Sequence, residues 1–375
     1  MLNVFLRPLS VLAWGLCLAL GAAAQGSDIV VGQSTDLSGI LAEIGTETSW
    51  GAKAYFETVN AKGGVNGRKI RFVVLDDAYN ADKAVENARQ LIQRENAVAL
   101  LGMMGTPANT ALIPVVGEAG IPSVGPYTGG QVVRKPVNRM IFNIRASYAT
   151  EADKIVGHLA ARGVTRLGVV YQANAFGKEG LAGAQLAAEK YKLGLTAVSS
   201  LANDSSDLDR VVEVMQKADL QSILLVTAGK PSSDFIKAYN KKARGMQYFA
   251  LSVLASQAAV QALGKDGTGV VVSQVMPYPF SGMSPIVREY QKAMEAAGRK
   301  NFSYASMEGF VNAKVLVEAL RTVKQDVTRE RLADALDGLG KLDLGGFVVN
   351  FNRTEHQGSQ FVELTVVSNN GRFVR

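Results

Sequence analysis

The sequence predicts an α/β fold built as two doubly wound, parallel-sheet lobes. Three observations lead there. Short apolar runs rich in β-branched residues alternate with amphipathic helical patterns along most of the chain, the rhythm of parallel strands with right-handed crossovers. These runs fall into two successive series. The chain is also 375 residues long, more than one hydrophobic core usually serves.

The first series of candidate strands covers 29–34, 70–75, 98–102, 121–125 and 140–144. The second covers 167–171, 195–200, 222–227, 248–252 and 270–274. Continuous apolarity within each run suits strands buried on both faces. Amphipathic segments at 46–61, 81–93, 151–161 and 181–191 supply the crossovers, and Val311, Val315, Leu316, Ala319, Leu320 and Val323 draw one apolar face on a helix over 304–323. The C-terminal part departs from this rhythm: 347–351 and 361–367 read as antiparallel strands joined by a polar turn at 352–358. No low-complexity linker divides the chain, so several strand-like crossings between the lobes are expected.

The most distinctive local stretch is Asn60-Ala-Lys-Gly-Gly-Val-Asn-Gly-Arg68, followed by Val73-Val-Leu-Asp-Asp77. Glycines 63, 64 and 67 supply positive φ at a helix end and a turn, and Asn66-Gly67 is a hairpin-type turn pair. Spacing here establishes a helix, a tight turn and a strand that delivers two carboxylates. Asp76 and Asp77 are read as capping the next helix or meeting solvent, with a cation site as the alternative.

Residues 1–24 read as a cleaved export signal. Arg7 gives the positive region, Val11 to Ala19 the apolar core and Ala22-Ala23-Ala24 the cleavage site before Gln25. The apolar run is short for a membrane span. Cys17, the only cysteine, lies inside this leader, and Leu16 before it argues against lipidation. The mature chain therefore has no thiol for a disulfide, a nucleophile or a thiolate metal site. Without Arg7 the balance is 39 basic against 33 acidic residues, or +6, scattered rather than striped. No nucleic-acid module is present, and the charge reads as solubility with weak steering of anions.

Catalytic machinery is sparse. His158, on a predicted helix, and His356, in a turn, are the only histidines. Both read as surface residues with no nucleophile or metal ligand beside them in sequence. There is no G-x-S-x-G elbow, no phosphate-binding G-x-x-x-x-G-K-[ST] loop and no G-x-G-x-x-G fingerprint. No cofactor is expected, and an exported α/β enzyme is the least favoured reading.

Two loops follow strands at their C-terminal ends, where open parallel sheets hold ligands. In Gly102-Met-Met-Gly-Thr-Pro-Ala-Asn109, Thr106 reads as an N-cap with Pro107 at the first helical position. The amides of that turn and the helix dipole form a seat for a carboxylate, and Gly105 lets a ligand approach the backbone. An ordinary capped helix start is the alternative. Gly125-Pro-Tyr-Thr-Gly129 adds a phenol, a hydroxyl and backbone donors.

These loops, together with 29–39 (including Asp36-Leu-Ser-Gly39), Asn143-Ile-Arg-Ala-Ser147, 167–181 and the glycine turn, resemble the leucine/isoleucine/valine-binding family. Its members are type I periplasmic solute-binding proteins of ATP-driven importers, and the resemblance covers essentially the whole mature chain. It implies a three-strand hinge, with lobe one at 28–145 plus 276–345 and lobe two at 146–275 plus 346–375. It also implies a non-catalytic periplasmic receptor that closes on a small amino acid or other carboxylate-bearing solute. The partner would be an inner-membrane ABC permease, with no nucleic acid involved; a sensor of the same fold signalling to a regulatory partner is the alternative.

By the same resemblance, Thr106 matches the family's serine contact and Tyr127, Thr128 and Gly129 cover its second carboxylate loop. Met104 and Gly105 flank the first contact, and Phe176 supplies an apolar contact from lobe two. The family's pocket tyrosines fall at Ile44, Phe176 and Gly229, and its ammonium-holding glutamate falls at Ser252. Met103, Met104 and Ser252 are expected to adjust pocket size and polarity. The missing glutamate favours an unaminated carboxylate over a leucine-like zwitterion.

Overall fold

A computed structural model describes residues 27–254, 256–324 and 326–375; the expected leader and Cys17 lie outside the described residues. Strands β1 (Ile29–Thr35), β2 (Ile70–Asp76), β3 (Ala99–Leu101), β4 (Ser123–Val124) and β5 (Ile141–Phe142) make a five-stranded sheet in the order β2-β1-β3-β4-β5. Every pairing in it is parallel. Helices α1 (Ala42–Ala61), α2 (Ala81–Gln93) and α3 (Thr106–Ala119) connect these strands. Successive β1 residues go to opposite cores. Ile29 and Val31 join Tyr55, Phe56 and Phe310 on one side, while Val30 joins Leu91, Leu100, Leu112 and Val116 on the other. Burial of both faces is why these strands read as unbroken apolar runs.

A second parallel series follows: β6 (Arg166–Gln172), β7 (Gly194–Leu201), β8 (Ser222–Val226), β9 (Gln247–Ala250) and β10 (Val271–Gln274). Its helices are α4 (Tyr148–Ala161), α5 (Ala175–Tyr191), α6 (Leu208–Lys217), α7 (Lys230–Lys242) and α8 (Gln257–Leu263). The chain then returns through α9 (Pro285–Ala296), α10 (Tyr304–Thr322) and α11 (Arg329–Asp337), with α10 packed along α1. A ribbon of β11 (Gly340–Asp343) and β12 (Val348–Phe351) precedes β13 (Glu363–Val367) and β14 (Phe373–Val374). The last two complete a seven-stranded sheet, order β14-β13-β10-β9-β8-β6-β7, by antiparallel pairing. Among the described residues no helix is long and apolar enough to cross a membrane.

The glycine turn after α1 has the geometry its sequence requires. Asn66 and Gly67 both take positive φ, 51° and 79°, between the paired Val65 and Arg68. Gly64 (φ 78°) lies so close to Arg68 that a Cβ there would fall 2.0 Å from its carbonyl oxygen.

Several expectations need correction. Strands β12 and β13 do not pair with each other: β12 pairs with β11, and β13 with β10 and β14. The polar segment between them does turn tightly, with Asn352 and Glu355 paired antiparallel and the Gly358 carbonyl accepting from the Asn350 amide at 2.8 Å, but the turn folds 355–358 back on the end of β12 instead of delivering β13; Gln357 then bridges in parallel to Asn143 on the segment after β5. His356 is buried rather than superficial. Its ring stacks on Phe142 at 4.2 Å, its Nε2 lies 2.8 Å from Asp337, and its Nδ1 is 3.0 Å from the Asn138 and Ile141 carbonyls. Helix α2 is capped by Asn80, not by the aspartates. Asp76 and Asp77 instead hold loop backbone, accepting from the Leu37 and Ala78 amides and from the Tyr79 amide respectively.

Candidate ligand site

The C-terminal ends of β3 and β4 lie side by side, so their loops run together. Tyr127 donates its amide to the Met103 carbonyl at 2.9 Å, and Gly105 donates to the Tyr127 carbonyl at 3.2 Å. Met104 and Tyr127 form a parallel bridge. Buried Asn109 braces the first loop by donating its side-chain amide to the Met103 and Gly105 carbonyls at 2.7 and 2.8 Å. Arg134 braces the second: its guanidinium, 2 % exposed, donates to the carbonyls of Thr128, Gly130 and Arg145. Burial, reinforced by nearby Arg145, pulls the Arg134 pKa down to about 10, so it stays cationic at neutral pH.

Helix α3 starts one residue earlier than its cap signature suggests. Gly105, with φ 86°, is the N-cap, Thr106 is the first helical residue, and Pro107 sits in the first turn. Thr106 fails as a cap because its hydroxyl is engaged elsewhere, 2.7 Å from the Thr128 hydroxyl. The first bond of the helix runs from the Asn109 amide to the Gly105 carbonyl at 3.0 Å. The Thr106 and Ala108 amides therefore belong to the turn whose donors no helical carbonyl can reach. A cation is absent from that first turn and an anion is favoured there by the helix dipole.

All eight expected site residues are buried, and the two bodies meet across them. Met104, Tyr127 and Phe176 share one apolar cluster with Leu41, Ile44, Ala228, Leu251 and Ala305, drawn from both sheets and their helices. Phe176, in the first turn of α5, meets the Tyr148 ring edge-on at 5.1 Å. A Cβ on Gly129 would fall 2.4 Å from that Tyr148 ring, and one on Gly105 would fall 2.7 Å from the Tyr79 ring. Glycine is required for space at 129, and at 105 for both space and its positive φ. Ile44 and Gly229 line a groove of about 270 Å³ between the bodies, with Leu41, Lys230 and Ser256. Glu43 accepts from Ser256 at 2.9 Å and Glu179 accepts from the Gln131 amide at 2.8 Å, both across the junction. Met103 is the exception to the expected set, since it faces Leu91 and Leu112 on the opposite side of the five-stranded sheet.

Ser252 stands beside charges that sequence reasoning missed. Glu151 on α4 accepts from the Ser252 amide at 2.8 Å, the Ser252 hydroxyl at 3.1 Å and the Ser273 hydroxyl at 2.6 Å. Arg145 donates to the Ser252 hydroxyl and lies 3.6 Å from Glu151 and 3.5 Å from Glu308. Its guanidinium also stacks over Tyr127 at 4.6 Å. Burial works against the Arg145 cation, but Glu308, Tyr127 and Glu151 outweigh it and hold its pKa above the usual range. Glu308 is raised to about 7 because burial outweighs its attraction to Arg145. A charged residue surrounded by apolar ones, as Glu308 is between Met307 and Phe310, was the available clue.

The sequence model of a family described as periplasmic binding protein matches residues 28–372. A Ralstonia solanacearum substrate-binding periplasmic protein of known structure is 36 % identical with a TM-score of 0.87, over 92 % of this chain and 99 % of that one. The structure of a possible leucine/isoleucine/valine-binding protein from Rhodopirellula baltica SH 1 is 26 % identical with a TM-score of 0.87, over 95 % and 98 %. Leu/Ile/Val-binding protein homolog 7 of Brucella abortus (strain 2308) is 26 % identical over 335 residues, 82 % of this chain and 80 % of its own.

Proposed function

This chain belongs to the periplasmic binding protein family of the Leu/Ile/Val-binding type, solute-binding proteins rather than enzymes, and from that premise we propose that it is the solute-binding component of an ABC importer. It is exported by a leader at 1–24, captures a small carboxylate-bearing solute between two lobes, and hands it to an inner-membrane permease. Lobe one comprises 28–145 with 276 to the end of β12, and lobe two comprises 146–275 with the chain from β13 onward. Placing the division after β12 keeps the β11–β12 ladder whole.

The observation that carries this reading is the start of α3, buried at the junction of both bodies with the Thr106 and Thr128 hydroxyls beside it. Amides without helical acceptors in a water-poor setting favour a carboxylate strongly. Hinge closure buries the ligand, with Tyr127 and Phe176 covering its apolar part. Isothermal calorimetry against amino acids, aromatic monocarboxylates and aliphatic mono- and dicarboxylates tests the proposal. Saturable binding of at least one carboxylate class supports it; folded protein that binds none of them contradicts it.

A further inference from the structure

We propose that Arg145 is a positioning residue for lobe closure, a single buried guanidinium that ties the two bodies together at the floor of the ligand site. The inference rests on the hinge-closure reading above and adds what holds the closed form.

Arg145 lies on the segment after β5, where the chain leaves the five-stranded body. The backbone there is fixed by the neighbouring crossing: Asn143 donates to the His356 carbonyl at 2.9 Å, and Gly358 donates to the Asn143 carbonyl at 2.7 Å. The side chain, 1 % exposed, reaches both ways. Toward the seven-stranded body it meets Ser252 and Glu151. Toward the five-stranded body it meets Glu308 and the Tyr127 ring.

Each partner set is anchored to its own body. Glu151 is held by Ser252, just beyond β9, and by Ser273 in β10. Glu308 sits one turn before Asn312 on α10, and Asn312 donates to the Gly125 carbonyl at 3.0 Å. Separation of the bodies draws these sets apart, and one guanidinium cannot follow both. Opening therefore breaks one half of the tie.

The charges set the direction. In the closed form Arg145 is the shared counter-ion of two buried carboxylates, and its Nε and Nη1 have no hydrogen-bond acceptor. Removing the cation leaves Glu308 buried beside Glu151, where it must either stay ionised without a counter-ion or take up a proton, and opening, which admits water to Glu308, relieves either cost. Arg145 thus favours closure, and a neutral residue at 308 compensates for its loss.

Interlobe distances test this without a known ligand. Spin labels are placed through Lys62→Cys on the five-stranded body and Lys241→Cys on the seven-stranded body, in the full chain carrying Cys17→Ser. Pulsed electron resonance, with no solute added, then reads the open-to-closed ratio. Arg145→Met is expected to raise that ratio about tenfold or more, and adding Glu308→Gln to it is expected to recover at least half of the change on a logarithmic scale. Ser252→Ala, which removes the hydroxyl's bonds to Arg145 and Glu151 but leaves both charges in place, is expected to raise the ratio about threefold and serves where Arg145→Met does not fold. A packing role for Arg145 would lower the melting temperature without moving the distances, and without rescue by Glu308→Gln. An unchanged ratio in both single variants overturns the inference while leaving hinge closure intact. A single distance in every variant, unmoved by every solute that binds, overturns hinge closure itself.

Discussion

Thr106 and Thr128 carry the most specific chemistry of the site. Thr128 accepts from the Gly130 amide at 3.0 Å, and the two hydroxyls lie 2.7 Å apart. One proton lies between them and the second is free to donate, which suits an anion. Thr106→Val or Thr128→Val keeps the shape and removes a donor to a charged group, at roughly 1.5–3 kcal/mol. The expected outcome is a tenfold or greater loss of affinity in calorimetry for either variant, with a lower melting temperature for Thr128→Val, which also strands the buried Gly130 amide. At this scale the sequence spoke unevenly. Thr106, Tyr127 and Thr128 were legible because strand ends and a Pro-bearing helix start mark a ligand seat. Arg145, Glu151 and Glu308 were not, because isolated charges read as solvated until the segments around 145–151 and 308 come together. His356 misled for the same reason: its partners Asp337, Asn138 and Ile141 are remote from its polar turn.

The helices show how tightly the five-stranded body is assembled. Helices α1 and α10 approach so closely that a Cβ on Gly309 would fall 1.9 Å from the Thr48 carbonyl oxygen. Gly309→Ala therefore forces the pair apart and is expected to cost about 1–3 kcal/mol, read as a lower melting temperature. Gly117 on α3 offers the opposite case, since nothing lies within 4 Å of a Cβ there. Gly117→Ala is expected to stabilise by about 0.5–1 kcal/mol through helix propensity. Most elements were legible because buried parallel strands and amphipathic helices each leave their own period in the sequence. The β11–β12 ribbon was not, since Gly-Lys-Leu-Asp over 340–343 lacks the β-branched residues that mark a strand. Its pairing comes from β12 finding a neighbour, not from local preference.

For the whole molecule, four carboxyl groups among the described residues resist ionisation, Glu363 among them because burial raises it. Burial lifts Glu308 and Glu47 to about 7 and Asp77 to about 6. Their unfolded values are near 4, so the folded protein holds more protons between roughly pH 4 and 7. Stability then falls as pH rises through that window, and the melting temperature is expected to be higher at pH 5.5 than at pH 8. Glu308→Gln removes one of these protons and is expected to flatten the slope. Asp76 opposes this in strong acid. Burial would raise it, but the Ser38 hydroxyl, the Leu37 and Ala78 amides and Lys83 hold it at about 2, so its contribution is lost only below pH 4. The two-body architecture was legible from the paired series of strands. The pairing of Gln357 with Asn143 was not, because it joins segments remote in sequence. The most direct measurement is a crystal structure of the protein with its copurified or calorimetrically identified solute. The account predicts a carboxylate within hydrogen-bonding distance of the Thr106 or Ala108 amide and enclosed by both bodies; a solute bound elsewhere, or one at this junction with no anionic group facing α3, would contradict it.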